Sequence, residues 1–425
     1  MMMKIQNYVT GSWITGDGEE LMAENAITGE AFASLSSAGL DYESILNYAR
    51  NTGGPALRKM TFQERGRMLK ALALHLMEHK EKFYVLSAAT GATRVDSWID
   101  IEGGIGNLFA YASLRKQFPD LPYAFEGETV PLSKGGSFIG HHILVPKRGV
   151  AVHINAFNFP IWGMLEKIAV NLLAGVPAVV KPSEFTSYLT ELMVKEIIDS
   201  KILPEGSLQL VTGLGRGIID HVTNQDVVTF TGSAATGRKL KSLPHIVENS
   251  VPFNLEADSL NASMLGEDAA PGTPEFDLFI KATRAEITVK AGQKCTAIRR
   301  ILVPEKYMED VQIALGKQLA KTTIGDPSVE GVRMGSLASK IQVDRVRHNV
   351  ELLMKEQDIV YGDMDNFEVV GADKNKGAFF SPILFRNDNP FEKTAVHEIE
   401  AFGPVSTLMP YKNMDEAIRI AEMGK

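Results

Sequence analysis

Residues 62–90 repeat apolar side chains at helical spacing. The apolar positions recur three, four and seven places apart, and they are Met68, Leu69, Leu72, Leu74, Leu76 and Met77. This spacing predicts one or two amphipathic helices that pack one face on a core. Residues 119–142 follow another pattern, with three prolines, several glycines and short alternating runs. That pattern predicts an extended arm or hairpin outside the core.

From Gly149 onward the chain alternates between two kinds of segment. Short β-prone apolar runs predict strands at residues 150–154, 178–180, 207–211 and 227–230. Helical periodicity lies between and after them, at residues 161–173, 186–198 and 232–240. Such alternation predicts an α/β fold in which helices cover both faces of a parallel sheet. Ligands of these sheets bind at the carboxyl ends of the strands.

Composition and charge exclude several classes of protein. Hydrophobic residues make up 44% of the 425 residues and charged residues 23%, which is typical of a globular chain. The net charge of -8 argues against binding to nucleic acid. The longest apolar stretch, residues 168–180, is too short to span a bilayer, and the N-terminus lacks the apolar region of a secretory signal. With one cysteine, these features predict a cytoplasmic protein without a membrane partner.

Cys295 is the only cysteine, so it cannot form an internal disulfide. A lone cysteine is either a small buried hydrophobe or a working nucleophile. Its flank, Gly292-Gln293-Lys294 before it and Thr296 after it, is polar and turn-like. Lys294 could favour the reactive thiolate. The flank alone leaves both interpretations open.

Two glycine-containing segments are candidates for phosphate binding. Gly213-Leu214-Gly215-Arg216-Gly217 follows a predicted strand, but Ile218 stands where a dinucleotide fingerprint needs its third glycine, which favours an ordinary turn. In the second segment a strand ends in Thr231-Gly232-Ser233 and a helix begins. The backbone amides of that helix start could hold a phosphate, although Ser233 taken alone predicts an N-cap.

Five segments together carry a resemblance to a known family. They are Asn155-Ala156-Phe157-Asn158-Phe159-Pro160, Lys181-Pro182-Ser183-Glu184, Phe230-Thr231-Gly232-Ser233, Gly292-Gln293-Lys294-Cys295 and Glu400-Ala401-Phe402-Gly403-Pro404-Val405. Their order and spacing resemble the aldehyde dehydrogenase superfamily, over essentially the whole chain. Residues 55–62, 88–94 and 96–106 look like one branch of it. That branch is the dehydrogenase half of the bifunctional ring-opening protein of bacterial phenylacetate breakdown, with the related semialdehyde dehydrogenases of the benzoyl-CoA epoxide route.

The resemblance implies a catalytic set without a metal. Cys295 would attack the aldehyde carbon, and Asn158 would donate to the oxyanion together with the Cys295 N–H. Glu256 would activate the water that hydrolyses the resulting thioester, and Asp258 is the less favoured base. The family's Glu-Leu-Gly-Gly-Lys has become Glu256-Ala257-Asp258-Ser259-Leu260, so the glycines are lost and the local backbone path stays open.

The resemblance also implies a nicotinamide cofactor, NADP or NAD. Lys181 and Glu184 would hold the adenine ribose, and Gly232 and Ser233 the pyrophosphate. Glu400 would bond the nicotinamide ribose, with Phe402 against it. A glutamate near the 2′-hydroxyl favours NAD, so Glu184 points to NAD, whereas the phenylacetate branch points to NADP.

The implied architecture is a Rossmann-like cofactor domain, an α/β catalytic domain and a β arm. The cofactor domain is expected over residues 1–121 and 143–255. Residues 122–142 would be the arm of a homodimer or higher homo-oligomer, and residues 256–425 the catalytic domain. The chain stops where family members continue, so we expect a C-terminally truncated fold without the hydratase domain of the bifunctional protein.

Three functional hypotheses follow from the resemblance. The first is a hydrolytic dehydrogenase acting on an aldehyde that the branch implies to be a CoA-linked semialdehyde. The second is a CoA-acylating relative, which generally lacks the glutamate at position 256. The third is a cofactor-binding protein without turnover. Glu256 favours the first. The pair Arg299-Arg300 is a candidate anchor for an anionic CoA handle, although an arginine pair is more often a solvated or ion-paired surface feature.

Overall fold

The computed structural model of the protein describes residues 2–424. The strands of this part are β1 (Met3–Ile5), β2 (Asn7–Val9), β3 (Ser12–Ile14), β4 (Leu21–Glu24), β5 (Ala31–Leu35), β6 (Ala124–Pro131), β7 (Ile139–Leu144), β8 (Ala151–Ile154), β9 (Ala178–Lys181), β10 (Leu208–Leu210), β11 (Val227–Gly232), β12 (Phe253–Ala257), β13 (Asn261–Met264), β14 (Ile298–Pro304), β15 (Asp358–Tyr361), β16 (Ile383–Arg386) and β17 (Val405–Tyr411).

The α-helices of the described residues are α1 (Tyr42–Tyr48), α2 (Gly54–Lys59), α3 (Phe62–Glu78), α4 (Glu81–Ser87), α5 (Arg94–Trp98), α6 (Gly104–Leu114), α7 (Pro160–Leu173), α8 (Ser187–Asp199), α9 (Ala234–Lys241), α10 (Pro244–Glu248), α11 (Pro274–Thr288), α12 (Met308–Leu319), α13 (Lys340–Leu353) and α14 (Met414–Glu422). Ala49–Gly53 and Ile99–Gly103 are short π-helices. Short 3-10 helices are Ala88–Thr90, Arg115–Gln117, Ile218–His221, Glu305–Tyr307 and Ala395–His397. Val289–Gly292 is a tight turn in which Lys290 and Ala291 have non-helical backbone angles. None of the described helices is long and apolar enough to cross a bilayer.

The chain divides into two compact units, and the first comprises Met1–Ala23, Phe32–Val85 and Trp98–Ala257. Its main sheet has seven strands in the order β12-β11-β8-β9-β10-β2-β3. The five strands from β12 to β10 are parallel, and β2 and β3 pair antiparallel at one edge. Every residue of β9 is buried, as in a parallel sheet covered on both faces. The predicted α/β sheet is therefore confirmed.

The helical and arm patterns are confirmed in the same unit. Residues 62–90 form α3 and α4, and α3 starts at a capping box in which Thr61 and Glu64 bond each other's backbone N–H. The hairpin of β6 and β7 spans residues 124–144, so it continues two residues beyond the predicted end at His142, and it is a two-stranded antiparallel sheet with no third strand among the described residues. The prolines and the alternating runs predicted this hairpin, because they fit an exposed hairpin better than a core helix.

The second unit comprises Glu24–Ala31, Leu86–Ser97 and Asp258–Lys425. Its sheet has the order β13-β14-β17-β16-β15, with β15 antiparallel to four parallel strands. The two short early segments belong here because their backbone is bonded into this unit. Ala26 donates to the Ala89 carbonyl at 2.8 Å, and the Ala26 carbonyl accepts from Ala378 at 2.7 Å.

Candidate active site

Four of the predicted site segments of the first unit emerge at one edge of its sheet. In the parallel register Ile154 lies beside Lys181 and beside Phe230, and Thr231 lies beside Glu256. The segments that follow β8, β9, β11 and β12 therefore leave the sheet at the same carboxyl edge, which is where such sheets bind ligands.

Asn158 lies on the turn between β8 and α7 and is buried. The turn is fixed at both ends. At its start the Asn155 N–H donates to the Lys181 carbonyl at 2.9 Å. At its end one carboxylate oxygen of buried Asp100 accepts from the N–H of Ile161 at 3.1 Å and of Trp162 at 2.8 Å. An amide on so constrained a turn is preorganised as a donor.

Asp100 is a site-supporting residue that the sequence reasoning missed. It belongs to the segment 96–106 that marks the branch, and it satisfies two amides that open α7. The segment carries three acidic side chains, Asp96, Asp100 and Glu102, and nothing in the sequence indicated that Asp100 would cap α7.

Lys181 and Glu184 lie together after β9, with the Lys181 Nζ 3.8 Å from the Glu184 carboxylate. Lys181 is buried, and this burial lowers its pKa while Glu184 opposes the shift. Glu184 is half-buried, so its carboxylate reaches solvent. The negative charge of Glu184 therefore compensates part of the positive charge of Lys181 at the edge of the sheet.

Gly232 and Ser233 form the junction between β11 and α9. The Ser233 hydroxyl accepts from the Thr236 N–H at 3.4 Å, which confirms the predicted N-cap. Ser233 itself is exposed. The start of α9 thus carries the partial positive charge of a helix N-terminus at an open surface, which suits an anionic group.

Glu256 lies on β12 opposite Thr231 of β11. The Thr231 hydroxyl donates to its carboxylate at 3.3 Å, and the Glu256 side chain is exposed. A carboxylate that reaches water and is oriented by one hydroxyl meets the first requirement of a general base for water.

The backbone after Glu256 keeps a glycine-like turn without a glycine. Asp258 has a φ of +35°, in the left-handed region that costs a non-glycine residue about 1–2 kcal/mol. The replacement of the family's glycines by Asp258 and Ser259 has therefore left a strained position at Asp258.

In the second unit, Cys295 follows a strained loop. Lys290, Ala291 and Gly292 have φ values of +54°, +50° and +69°. The Lys290 N–H is held by the Asp96 carboxylate at 2.7 Å, and a side chain at Gly292 would place its Cβ 2.1 Å from the Gly403 carbonyl oxygen. Only glycine fits at position 292. The surrounding contacts keep the loop in its strained backbone conformation.

The main chain of Cys295 is held by hydrogen bonds, whereas the residue is exposed to solvent. The Cys295 carbonyl accepts from the Asn261 amide at 2.7 Å and from the Ser259 hydroxyl. Cys295 is exposed, which excludes the alternative of an inert, buried cysteine. The sequence did not predict these contacts of Ser259 and Asn261. Ser259 was noted there only as a residue that replaces a glycine of the family.

The expected activation by Lys294 is not supported. The Lys294 ammonium lies 2.7 Å from the Glu286 carboxylate of α11, and its side chain is largely buried. Its charge is therefore compensated by Glu286. Lys294 is next to Cys295 in sequence, but this did not predict its contact, because the Lys294 side chain extends towards α11.

Glu400 joins the same cluster. Its carboxylate accepts from the Ser259 N–H at 3.2 Å and lies 3.4 Å from the Arg299 guanidinium. Burial raises the pKa of Glu400 above its usual range, although Arg299 and the Ser259 N–H oppose the shift. The Arg299 guanidinium also lies 5.6 Å from the centre of the Phe402 ring. Ser259 thus connects the Cys295 carbonyl to the Glu400 carboxylate.

The prediction that Arg299 and Arg300 anchor a substrate at a pocket mouth is wrong. Both are buried in β14, with 4% of each exposed. Arg299 donates to the carbonyls of Gly403 and Gly292, and Arg300 to those of Leu260, Ile420 and Ala421. These hydrogen bonds go to backbone carbonyls of loops and of the end of α14. Both guanidinium groups are buried among these carbonyls, so neither is available to a phosphate.

Another cluster, in the first unit, has residue types that can bind metals. The ring nitrogen Nε2 of His75 lies 2.5 Å from the Glu196 carboxylate, and His79 lies beside them. Lys82 also pairs with Glu196, and the His79 Nδ1 is bonded to the His75 carbonyl at 2.8 Å. Because an ammonium and a carbonyl already engage these atoms, we assign the cluster no metal role.

Comparisons with known proteins find one family for the chain. A model of the aldehyde dehydrogenase family matches residues 13–424. The 3,4-dehydroadipyl-CoA semialdehyde dehydrogenase of Aromatoleum evansii is 43% identical over 99% of this chain and 82% of that protein. An aldehyde dehydrogenase from Bacillus cereus in complex with NAD+ is 26% identical, with a TM-score of 0.84 over 99% of this chain and 82% of that one. A betaine aldehyde dehydrogenase from Staphylococcus aureus, also with NAD+, shares the fold at 24% identity, with a TM-score of 0.86 over 99% and 80%.

Proposed function

The chain belongs to the aldehyde dehydrogenase family, whose members oxidise aldehydes with NAD(P), and we propose that its substrate is a CoA-linked semialdehyde that it converts to the acid. The observation that carries the chemistry is Cys295, an exposed thiol whose backbone is clamped by Ser259 and Asn261. A nucleophile held in this way loses little conformational freedom when it attacks.

Carbon–sulfur bond formation is the first step. The Cys295 thiolate attacks the aldehyde carbon, and the carbonyl oxygen becomes an oxyanion. The Asn158 side-chain amide and the Cys295 N–H donate to that oxygen. Removing one such donor costs about 10²–10³ in rate in comparable sites. A bound nicotinamide would supply the oxidant by accepting the hydride that the adduct releases when it collapses, so the substrate would lose two electrons and a thioester would remain on the Cys295 sulfur.

Hydrolysis of the thioester completes the cycle. The Glu256 carboxylate takes a proton from water, the hydroxide adds to the acyl carbon, and the carbon–sulfur bond breaks to return the thiolate. Glu256 is exposed and has a hydroxyl partner in Thr231, which supports this role. A CoA-acylating enzyme has no need of that base, so Glu256 favours water as the acceptor.

Six residues would hold the nicotinamide cofactor when it is bound. Lys181 and Glu184 would bind its adenine ribose, and Gly232 and Ser233 its pyrophosphate. Glu400 would bond its nicotinamide ribose, with Phe402 against that ribose. Glu184 disfavours a 2′-phosphate, while Lys181 at 3.8 Å offsets part of that repulsion.

We propose that the first unit is the cofactor domain and the second the catalytic domain, because the helix start at Ser233 lies in one and Cys295 in the other. We propose a cytoplasmic location, since the cytoplasm keeps thiols reduced and Cys295 is an exposed thiol. Fluorescence microscopy of a tagged protein in the source cells tests the location.

The substrate proposal rests on the Aromatoleum evansii relative, whose name states a CoA-linked semialdehyde. We expect a higher kcat/KM for a CoA-linked medium-chain semialdehyde than for the matching free one, because remote binding energy positions the aldehyde. The measurement is a steady-state panel of both aldehydes, each with NAD and with NADP, run with and without added free CoA.

Equal values, or a preference for the free aldehyde, would contradict the substrate proposal. Turnover that requires free CoA would instead establish the acylating alternative. The absence of aldehyde-dependent cofactor reduction with every substrate would leave only the non-catalytic hypothesis.

The hairpin of β6 and β7 is proposed as the contact of a homodimer or higher homo-oligomer. It exposes a row of large apolar side chains, which are Phe125, Val130, Leu132, Phe138, Ile139, Ile143, Leu144 and Val145. An isolated hairpin is marginal in water, and such a surface typically pairs with another chain. We expect Ile143→Asp to convert the oligomer to monomer, measured by light scattering.

A matched control separates the arm from general surface effects. Leu278 on α11 is 66% exposed, and Leu278→Asp should leave the molar mass unchanged. A wild-type monomer, or an equal response of both variants, would refute the role of the arm.

A further inference from the structure

A cleft at the opposite edge of the first unit's sheet concentrates positive charge. Gly149 precedes β8 and Gln225 precedes β11, so the cleft lies at the amino ends of these strands. Asn158 and Ser233 follow the carboxyl ends of β8 and β11, and Lys181 is the last residue of β9, so all three lie at the other edge of the sheet from the cleft. The cleft has a volume of about 500 Å³ and is lined by Arg50, Asn51, Pro55, Arg58, Arg148, Gly149, Thr223 and Gln225.

One of its three arginines is compensated. The Arg50 guanidinium bonds the Asp226 carboxylate through two nitrogens, at 3.2 and 2.5 Å. Asp226 is fully buried and also accepts from the N–H of Thr223 at 2.6 Å and of Val150 at 2.8 Å. This network fixes the wall of the cleft and adds no net charge to it.

The other two arginines have no acidic partner. Among residues 2–424, neither Arg58 nor Arg148 forms an ion pair with a carboxylate. The Arg58 Nη1 atom is buried and lacks a hydrogen-bond partner. Burial, together with the nearby Arg148 charge, lowers the pKa of Arg58. A buried donor without a partner costs about 1–3 kcal/mol, so an acceptor that reached Arg58 Nη1 would relieve a cost that the protein alone leaves in place.

The backbone leaves room for that donor. A side chain at Gly54 would place its Cβ 2.6 Å from Arg58 Nη1, and one at Gly149 would place it 2.2 Å from the Gln225 carbonyl oxygen. Because both positions are occupied by glycine, no side chain from either of them fills the cleft. Arg58 also lies in the segment 55–62 that distinguishes the branch, and the catalytic scheme leaves that segment without a role.

We propose that this cleft binds the phosphate group of a small-molecule ligand through Arg58 and Arg148. Guanidinium groups bind phosphate oxygens in pairs of charge-assisted hydrogen bonds. The lining carries no acidic side chain, and the volume suits a ligand of nucleotide size. Inorganic phosphates and the phosphorylated nucleotide end of CoA share this chemistry.

Calorimetric titration of the cofactor-saturated protein tests the proposal, because the bound cofactor occupies the other phosphate site. The probes are inorganic pyrophosphate and adenosine 3′,5′-bisphosphate, in a buffer without phosphate. We expect saturable binding with a Kd of about 100 μM or tighter, weakened by salt. Tighter binding of the bisphosphate would identify the nucleotide end of CoA as the source, and equal binding an inorganic phosphate.

Three variants assign the binding to the cleft. Arg58→Gln and Arg148→Gln should each weaken it by about tenfold or more. Lys59→Gln removes the same charge from an exposed neighbour and should change it by less than about twofold. Melting temperatures near that of wild type exclude misfolding, and Arg148 is exposed, so at least that variant is expected to fold.

Two outcomes would overturn the proposal. One is no saturable binding up to about 10 mM of either probe. The other is a loss with Lys59→Gln as large as with Arg58→Gln. Because calorimetry needs no turnover, Cys295→Ala protein serves equally well, and a failure here is separate from a failure of the dehydrogenase assignment.

Discussion

Cys295→Ala should abolish aldehyde oxidation and leave cofactor binding intact. The sulfur forms the covalent bond to the substrate, and removal of a nucleophile costs at least about 10⁴-fold in kcat. Cys295 is exposed and its carbonyl is held by Ser259 and Asn261, so alanine removes the thiol without opening a core cavity. The measurement is aldehyde-dependent reduction of NAD(P), with cofactor binding followed by fluorescence.

The neighbouring residue provides a matched control for this variant. Thr296 is exposed beside Cys295, and Thr296→Ala should retain most of the activity. Residual turnover of Cys295→Ala within about tenfold of wild type would remove Cys295 from the mechanism.

Glu256→Gln should slow thioester hydrolysis far more than hydride transfer. The amide keeps the size of the side chain and its contact with Thr231, but it cannot take a proton from water. We expect a burst of about one equivalent of reduced cofactor per active site, followed by a steady state about 10²–10⁴-fold slower than wild type. Stopped-flow absorbance of the reduced cofactor measures both phases.

The other carboxylate of the segment provides the control. Asp258 is exposed two residues on, and Asp258→Asn should show neither the burst nor the slow phase. If Glu256→Gln loses the burst itself while folded, Glu256 acts before hydride transfer, for instance on the Cys295 thiol. If Asp258→Asn alone stalls hydrolysis, the roles of the two carboxylates are reversed.

The parallel sheet of the first unit was predictable because its central strands are short, wholly buried apolar runs. In β9 every side chain is buried, so the pattern needs no knowledge of neighbours. The Ser233 cap was predictable for a similar reason, since it depends on residues three positions apart.

Partners distant in sequence were not predictable. Lys294 was assigned to its neighbour Cys295, whereas its ammonium reaches Glu286 on α11. The sequence offers Arg299 and Arg300 as an anchor at a pocket mouth or as a surface pair, because arginine pairs usually reach solvent. In the structure β14 buries both, and carbonyls from distant segments accept their hydrogen bonds. The clamp on the Cys295 carbonyl needs Asn261, which is 34 residues away.

The candidate site was predictable mainly through resemblance. From its flank alone Cys295 stayed undecided, and its exposure in the second unit settled that question against inert burial. The roles of Asn158, Glu256 and the cofactor residues stay predictions. Asn158, Lys181, Ser233 and Glu256 lie at or just after the carboxyl ends of strands, where such sheets bind ligands, and the Glu256 variant tests one of these roles.

The most direct test of covalent catalysis at Cys295 is the intact mass of Glu256→Gln protein after mixing with aldehyde and NAD(P). Slow hydrolysis should let the thioester accumulate. We predict one added mass per chain, equal to that of the aldehyde less one hydrogen molecule, located on Cys295 by peptide mapping and absent when NAD(P) is omitted. Oxidised product formed without any adduct on Cys295, or with the adduct on another residue, would contradict the account.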